Sequence, residues 1–248
     1  MNLNSAIVVA SSIALLVPVL VILAFRLFTN QCFLALAINY FLVAIHLLMR
    51  QGVIQSPETV YQSLGIVDNL LDAPLMLLFL SFFSTSVAMK KRITAAMFIF
   101  IGFEAIVLAI FGFSVLSIKI ILVPDIAAIL AISFMFFLRN VRLAVTNAKS
   151  MGKAVMISSV FLSYTIFCLV YIFYYLARNL RYHNDARLIF YLISILSALL
   201  MAVGILIEKK RIKKLDELKH TRKELAAIYG ETAALNKGSR FLTIKKNQ

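Results

Sequence analysis

SLGIVDNLLDAPLMLLFLSFFSTS, residues 63–86, is an apolar run long enough to cross a bilayer, yet it carries Asp68 and Asp72. About 20 largely apolar residues suffice for a spanning helix. An ionisable side chain inside such a run is costly unless it faces the interior of a bundle. Gly65, Asp68, Asn69 and Asp72 stand at i, i+3, i+4 and i+7, and so share one helical face. That face is expected to look toward other helices that supply polar partners, which makes the run one member of a polytopic bundle.

Outward from this stretch the same texture repeats. Spans are expected at 5–27, 31–50, 63–86, 93–113, 116–138, 152–177 and 187–207. The fold class that follows is all-α, a seven-transmembrane-helix bundle over residues 1–207 with a basic tail over 208–248. Composition agrees. Hydrophobic residues make up 62% of the 248 and charged residues 15%, whereas a soluble domain is about half apolar and about a quarter charged. The first span has no basic stretch before it, and Arg26 follows its apolar run; a cleaved signal peptide has the reverse order. The longest connection between spans one to six that is not basic, QGVIQSPETVYQ at 51–62, holds Gly52 and Pro57. Such short links make consecutive helices antiparallel neighbours.

The formal net charge is +14, and its placement separates membrane topology from nucleic-acid binding. Twelve of the 25 Lys and Arg residues lie in 208–248, and most others punctuate the spans. With loops assigned alternately to two sides, twenty basic residues fall on one side and five on the other. By the positive-inside rule the N-terminus is expected outside and the C-terminus in the cytoplasm of a cell bounded by a plasma or inner membrane. The expected partners are the lipid bilayer and anionic headgroups, not nucleic acid.

Four of the six acidic residues outside the tail, Asp68, Asp72, Glu104 and Asp125, fall inside spans. Asp72, Glu104 and Asp125 lie near the middle of theirs, as do Asn39 and Tyr40 of the second span. Spans two to five can therefore bring polar groups to one level, with Asn69 beside them and Ser163 and Ser194 added from spans six and seven. Asp68 lies one turn outward of Asp72, roughly 6 Å, near the depth of Lys119, so Asp68 and Lys119 are an expected ion pair. Together these ten residues form the expected buried polar cluster, able to receive a ligand, a proton or an ion. His46 reads as a packed or interfacial residue, and the hydroxyls serve equally well as helix-to-helix hydrogen bonds.

The tail begins IEKKRIKKLDELKHTRKELAAIYG, residues 207–230, with Leu215, Leu218, Leu225 and Tyr229 in two heptads. It is expected to be helical to about Gly230 and disordered beyond. Its basic start, KKRIKK at 209–214, suits anionic headgroups. The helix over 207–230 is also a candidate docking segment for a cytoplasmic or membrane protein. Cys32 and Cys168 both lie in apolar runs, and the chain has no CxxC, HExxH, GxxxxGK[ST] or GxSxG motif. No metal site, and no enzyme, is expected.

The third span, VDNLLDAPLMLLFL at 67–80, resembles the third helix of the microbial rhodopsins: an acid, a polar or acidic group four residues on, a Pro two beyond, then an aliphatic run. Those places are Asp68, Asp72 and Pro74. The fourth span, IGFEAIVLAIFG at 101–112, is similar to that family's fourth helix in its single acid, Glu104, among small residues. The resemblance implies a seven-helix opsin-like fold and puts Asp68 where the family's pumps carry their Schiff-base counterion. The chain departs from the family at the chromophore. Ala198 stands where the retinal-binding lysine is expected, Ser194 replaces the acid four residues earlier, Gly65 replaces the usual Arg, and there is no Trp. No cofactor is expected, and covalent retinal is not.

Two functions remain. One is a sensory or regulatory membrane protein in which a change at the buried cluster moves helices and is read through residues 139–153 and the tail. The other is a proton- or cation-translocating transporter or channel using Asp72, Glu104 and Asp125. The absence of a clear internal repeat favours the first.

Overall fold

The computed structural model describes residues 3–146, 150–173 and 183–244. Among them every regular element is helical: α1 (Leu3–Ala24), α2 (Gln31–Arg50), α3 (Glu58–Leu80), α4 (Val87–Phe111), α5 (Val115–Thr146), α6 (Met151–Tyr171) and α7 (His183–Ile244), with single 3-10 turns after α1 and α3. Each of the seven α-helices is long and apolar enough to cross a membrane. The chain divides into two units, Met1–Leu206 and Ile207–Gln248.

The helix ends follow local chemistry. Arg26 takes a left-handed φ of 53° and stops α1 short of the expected residue 27. Asn30 caps α2, its side chain accepting from Cys32 N at 3.0 Å. Pro57 fixes the start of α3 at Glu58, five residues before the expected 63. Ser86 caps α4 at its start through Met89 N at 3.1 Å, and Gly112, with φ 69°, ends the helix. Helix α5 overruns its expected end at 138 by eight residues to Thr146, because LRNVRLAV has helix-forming residues and no breaker. The expected end of span six at 177 lies outside the described residues.

In the first unit α1 packs on α2, α2 on α3, and α5 on both α6 and α3, with α4 against α3. Helices α6 and α7 meet closely: a Cβ at Gly204 would lie 2.6 Å from Met156 Cγ, and Ser159 Oγ donates to the Ser197 carbonyl at 2.6 Å. The two ends of the bundle are filled differently. Around the end of α3, Phe33, Phe79, Phe82, Phe83 and Phe136 form a continuous cluster of edge-to-face and tilted ring contacts. The opposite end, where α2 finishes and α3 begins, is hollow.

The second unit is helical from Ile207 through Ile244, which corrects the expected stop near Gly230. A glycine inside a helix costs only about 1 kcal/mol relative to Ala, and the residues after it, ETAALNK at 231–237, favour helix. Within this unit Arg211 holds Glu208 through two hydrogen bonds of 3.0 and 2.5 Å. Leu218 and Leu225, two of the heptad positions, are exposed.

Candidate functional site

A chamber of about 150 Å³ lies in the middle of the bundle, lined by residues from α1, α2, α3, α6 and α7. Asp72 is its centre. Asn39 Nδ2 donates to Asp72 Oδ1 at 2.6 Å, and the Tyr164 hydroxyl donates to Asp72 Oδ2 at 2.7 Å. Both oxygens of one carboxyl are thus held by two other helices. The helical repeat explains the meeting: Asn39 and Asp72 sit midway along antiparallel neighbours, and Tyr164 projects from α6 at the same depth.

Of the ten residues expected in the buried cluster, seven line this chamber: Asn39, Tyr40, Asp68, Asn69, Asp72, Ser163 and Ser194. Asn69 Nδ2 donates to the Gly65 carbonyl at 2.6 Å and Ser194 Oγ to the Phe190 carbonyl at 2.8 Å, so both also serve their own helices. Glu104 and Asp125 are buried, 6% and 0% exposed, but do not line the chamber. Their carboxyls are near enough to Asp72 to interact with it electrostatically. Among the described residues Glu104 Oε1 and both oxygens of Asp125 have no hydrogen-bond partner.

Lys119 is the correction. Its side chain is exposed, and it does not belong to the buried cluster. It stands one turn into α5, close enough to the helix end for a long side chain to reach water. The group that meets Asp68 is His46, Nδ1 to Oδ2 at 3.3 Å. The imidazole also packs against the Tyr61 ring at 5.2 Å between centroids. It fits because residue 65 is glycine: a Cβ there would come within 3.0 Å of His46 Cε1 and Nε2.

His46 and Tyr164 are the site residues that sequence reasoning missed. For His46 the signal was present in its depth, one turn inside the end of α2 and level with a glycine on α3. Tyr164 stands one residue from Ser163, which was singled out, and on a helix with several candidate hydroxyls nothing in the spacing selected it.

Beyond the chamber lies a wider vestibule of about 700 Å³, formed by the end of α2 and the facing ends of α3, α5, α6 and α7. Asn69, Phe167 and Phe190 line both spaces, so the vestibule and the chamber adjoin. Its volume is in the range of small-molecule sites. Among the described residues no group of three or more His, Cys, Asp or Glu side chains is placed to hold a metal ion.

No known protein family matches the chain, and no curated protein or solved structure matches it either.

Proposed function

We propose that this chain is an integral membrane protein of a plasma or inner membrane with a sensory or regulatory role, its N-terminus outside and its C-terminus cytoplasmic. The observation that carries the reading is the vestibule adjoining a chamber in which one carboxyl, Asp72, is hydrogen-bonded to two other helices. Anything that enters the chamber competes for donors that tie α3 to α2 and α6. Loss of either bond releases one helix from another, and an altered helix position is the simplest message such a bundle can send to residues 139–153 and the tail.

The opsin-like arrangement belongs to the same proposal. It is supported by the placement of α7, whose Phe190 and Ser194 line the chamber together with residues of α1, α2 and α3. Ala198 is fully buried, which suits a bundle without an attached chromophore.

A second reading, proton or cation translocation, is favoured by Asp125 and Glu104, whose buried oxygens lack donors. Reconstitution in liposomes with an internal pH dye separates the two. The regulatory reading expects no proton flux beyond empty liposomes, together with a changed signal from an environment-sensitive label at the cytoplasmic end of α5 in Asp72→Asn. Flux abolished by Asp72→Asn and by Glu104→Gln overturns it in favour of transport.

A further inference from the structure

The vestibule has a chemistry of its own. Among the described residues its polar lining includes Arg50 and His46 but no Asp or Glu. His46 already faces Asp68. Arg50, exposed at the last residue of α2, makes no hydrogen bond or ion pair with any described residue. Among the described residues the lining carries one uncommitted guanidinium and no acid, and its other polar groups, such as Tyr61, Gln62, Ser114 and Tyr191, are uncharged, so it attracts a single anionic group and disfavours a cation. The remaining walls are largely hydrocarbon and aromatic, with Phe113, Ile118, Leu122, Phe167 and Phe190 among them.

Depth sets the length of what fits. His46 lies one helical turn inside Arg50, and Asn69 lies one turn inside Gly65, the residue that His46 touches. Two turns of rise amount to about 11 Å from the mouth to the floor.

We propose that the vestibule binds a medium-length apolar monocarboxylate, with its carboxylate on the Arg50 guanidinium and its hydrocarbon body between Phe113, Phe167 and Phe190. This rests on the regulatory reading for its purpose but not for its chemistry. Arg50 forms a planar fork that takes a carboxylate through two hydrogen bonds. The aromatic walls remove the hydrocarbon from water, and the floor at Asn69 limits its length. The headgroup of an anionic phospholipid offers the same chemistry, a single negative charge on an apolar body, from the surrounding membrane.

The test uses the full chain in phosphatidylcholine nanodiscs, with decanoate as the probe, decanol as its uncharged counterpart and empty nanodiscs as the blank. Saturable decanoate binding is expected, at least about tenfold tighter than that of decanol. Arg50→Gln is expected to lower decanoate affinity about tenfold and leave decanol unchanged, and Arg50→Lys to recover part of the loss. Because Arg50 is exposed, these variants keep the fold. Ile118→Trp, which fills the cavity, is expected to weaken both probes. Equal affinity for decanoate and decanol, or indifference to Arg50→Gln, overturns the proposal.

Repeating the titration in phosphatidylglycerol nanodiscs assigns the source. Unchanged affinity identifies a free acid, and competitive weakening that disappears in Arg50→Gln identifies the lipid headgroup. The α5 label keeps the two proposals apart. Decanoate that binds without moving the label supports the site and overturns the regulatory purpose. A label that responds to Asp72→Asn in a protein that fails to bind decanoate does the reverse.

Discussion

Asp72 and Asp125 are the same residue type, both inside a spanning helix, and they are treated oppositely by the bundle. Asp72 faces a chamber and has a donor on each oxygen, Asn39 from α2 and Tyr164 from α6. Asp125 is completely buried and has none among the described residues. An apolar medium makes an unmet polar group more expensive than in water, so the first carboxyl contributes to holding helices together and the second detracts from it. One carboxyl is part of the architecture. The other persists against its energetic cost, and a reason beyond packing is the natural place to look for its function.

The sharpest way to break this contrast is to make the same substitution at both positions. Asp72→Val removes the acceptor for two buried donors and is expected to destabilise the bundle by about 2–4 kcal/mol. Asp125→Val, nearly equal in volume, removes an unpartnered carboxyl and is expected to stabilise it by about 1–3 kcal/mol. Reversible unfolding in mixed micelles of increasing sodium dodecyl sulfate measures both. Two shifts of the same sign would remove the distinction.

The fold was legible because seven apolar runs separated by short links leave few alternatives to a helical bundle. The chamber was partly legible for a related reason: depth in a bilayer is a coordinate that can be read by counting. Counting put Asn39 and Asp72 at one level, and the structure joins them at 2.6 Å. Rotation about the helix axis was less accessible. Asp125 shares that level, but Val123 beside it is exposed while Asp125 itself is enclosed, away from the chamber. The choice between Lys119 and His46 as the neighbour of Asp68 also depended on rotation. Charge alone favoured the lysine, whereas the space left by Gly65 on α3 favours the ring. The vestibule was not legible, because a cavity is made by what five helix ends fail to fill.

Gly65 gives a gentler way to sharpen the comparison, since it tests how firmly the polar partners are placed. In Gly65→Ala the new Cβ would start 3.0 Å from the His46 ring, which must yield by a few tenths of an ångström. Helix propensity gains up to about 1 kcal/mol from the same change, so the net effect on stability is expected to stay within about 0.5 kcal/mol. The imidazole resonances of His46 should nevertheless shift, because its 3.3 Å approach to Asp68 is disturbed. Unchanged resonances would mean that the ring does not rest on the glycine.

A comparably small effect is expected at Ser159, whose hydroxyl also bridges helices but to a backbone carbonyl. Ser159 Oγ donates to the Ser197 carbonyl at 2.6 Å where α6 and α7 run close together. That carbonyl is four residues before Met201 in an uninterrupted helix, so it already accepts a backbone N–H and does not lose its only partner when the hydroxyl goes. Ser159→Ala is therefore expected to cost about 0.6 kcal/mol, the usual worth of one hydrogen bond between membrane helices. Micellar unfolding beside Asp72→Val measures it. A loss as large as that of Asp72→Val would show that hydroxyl-to-backbone bonds hold this bundle as strongly as the carboxyl does, and the special standing of Asp72 would be lost.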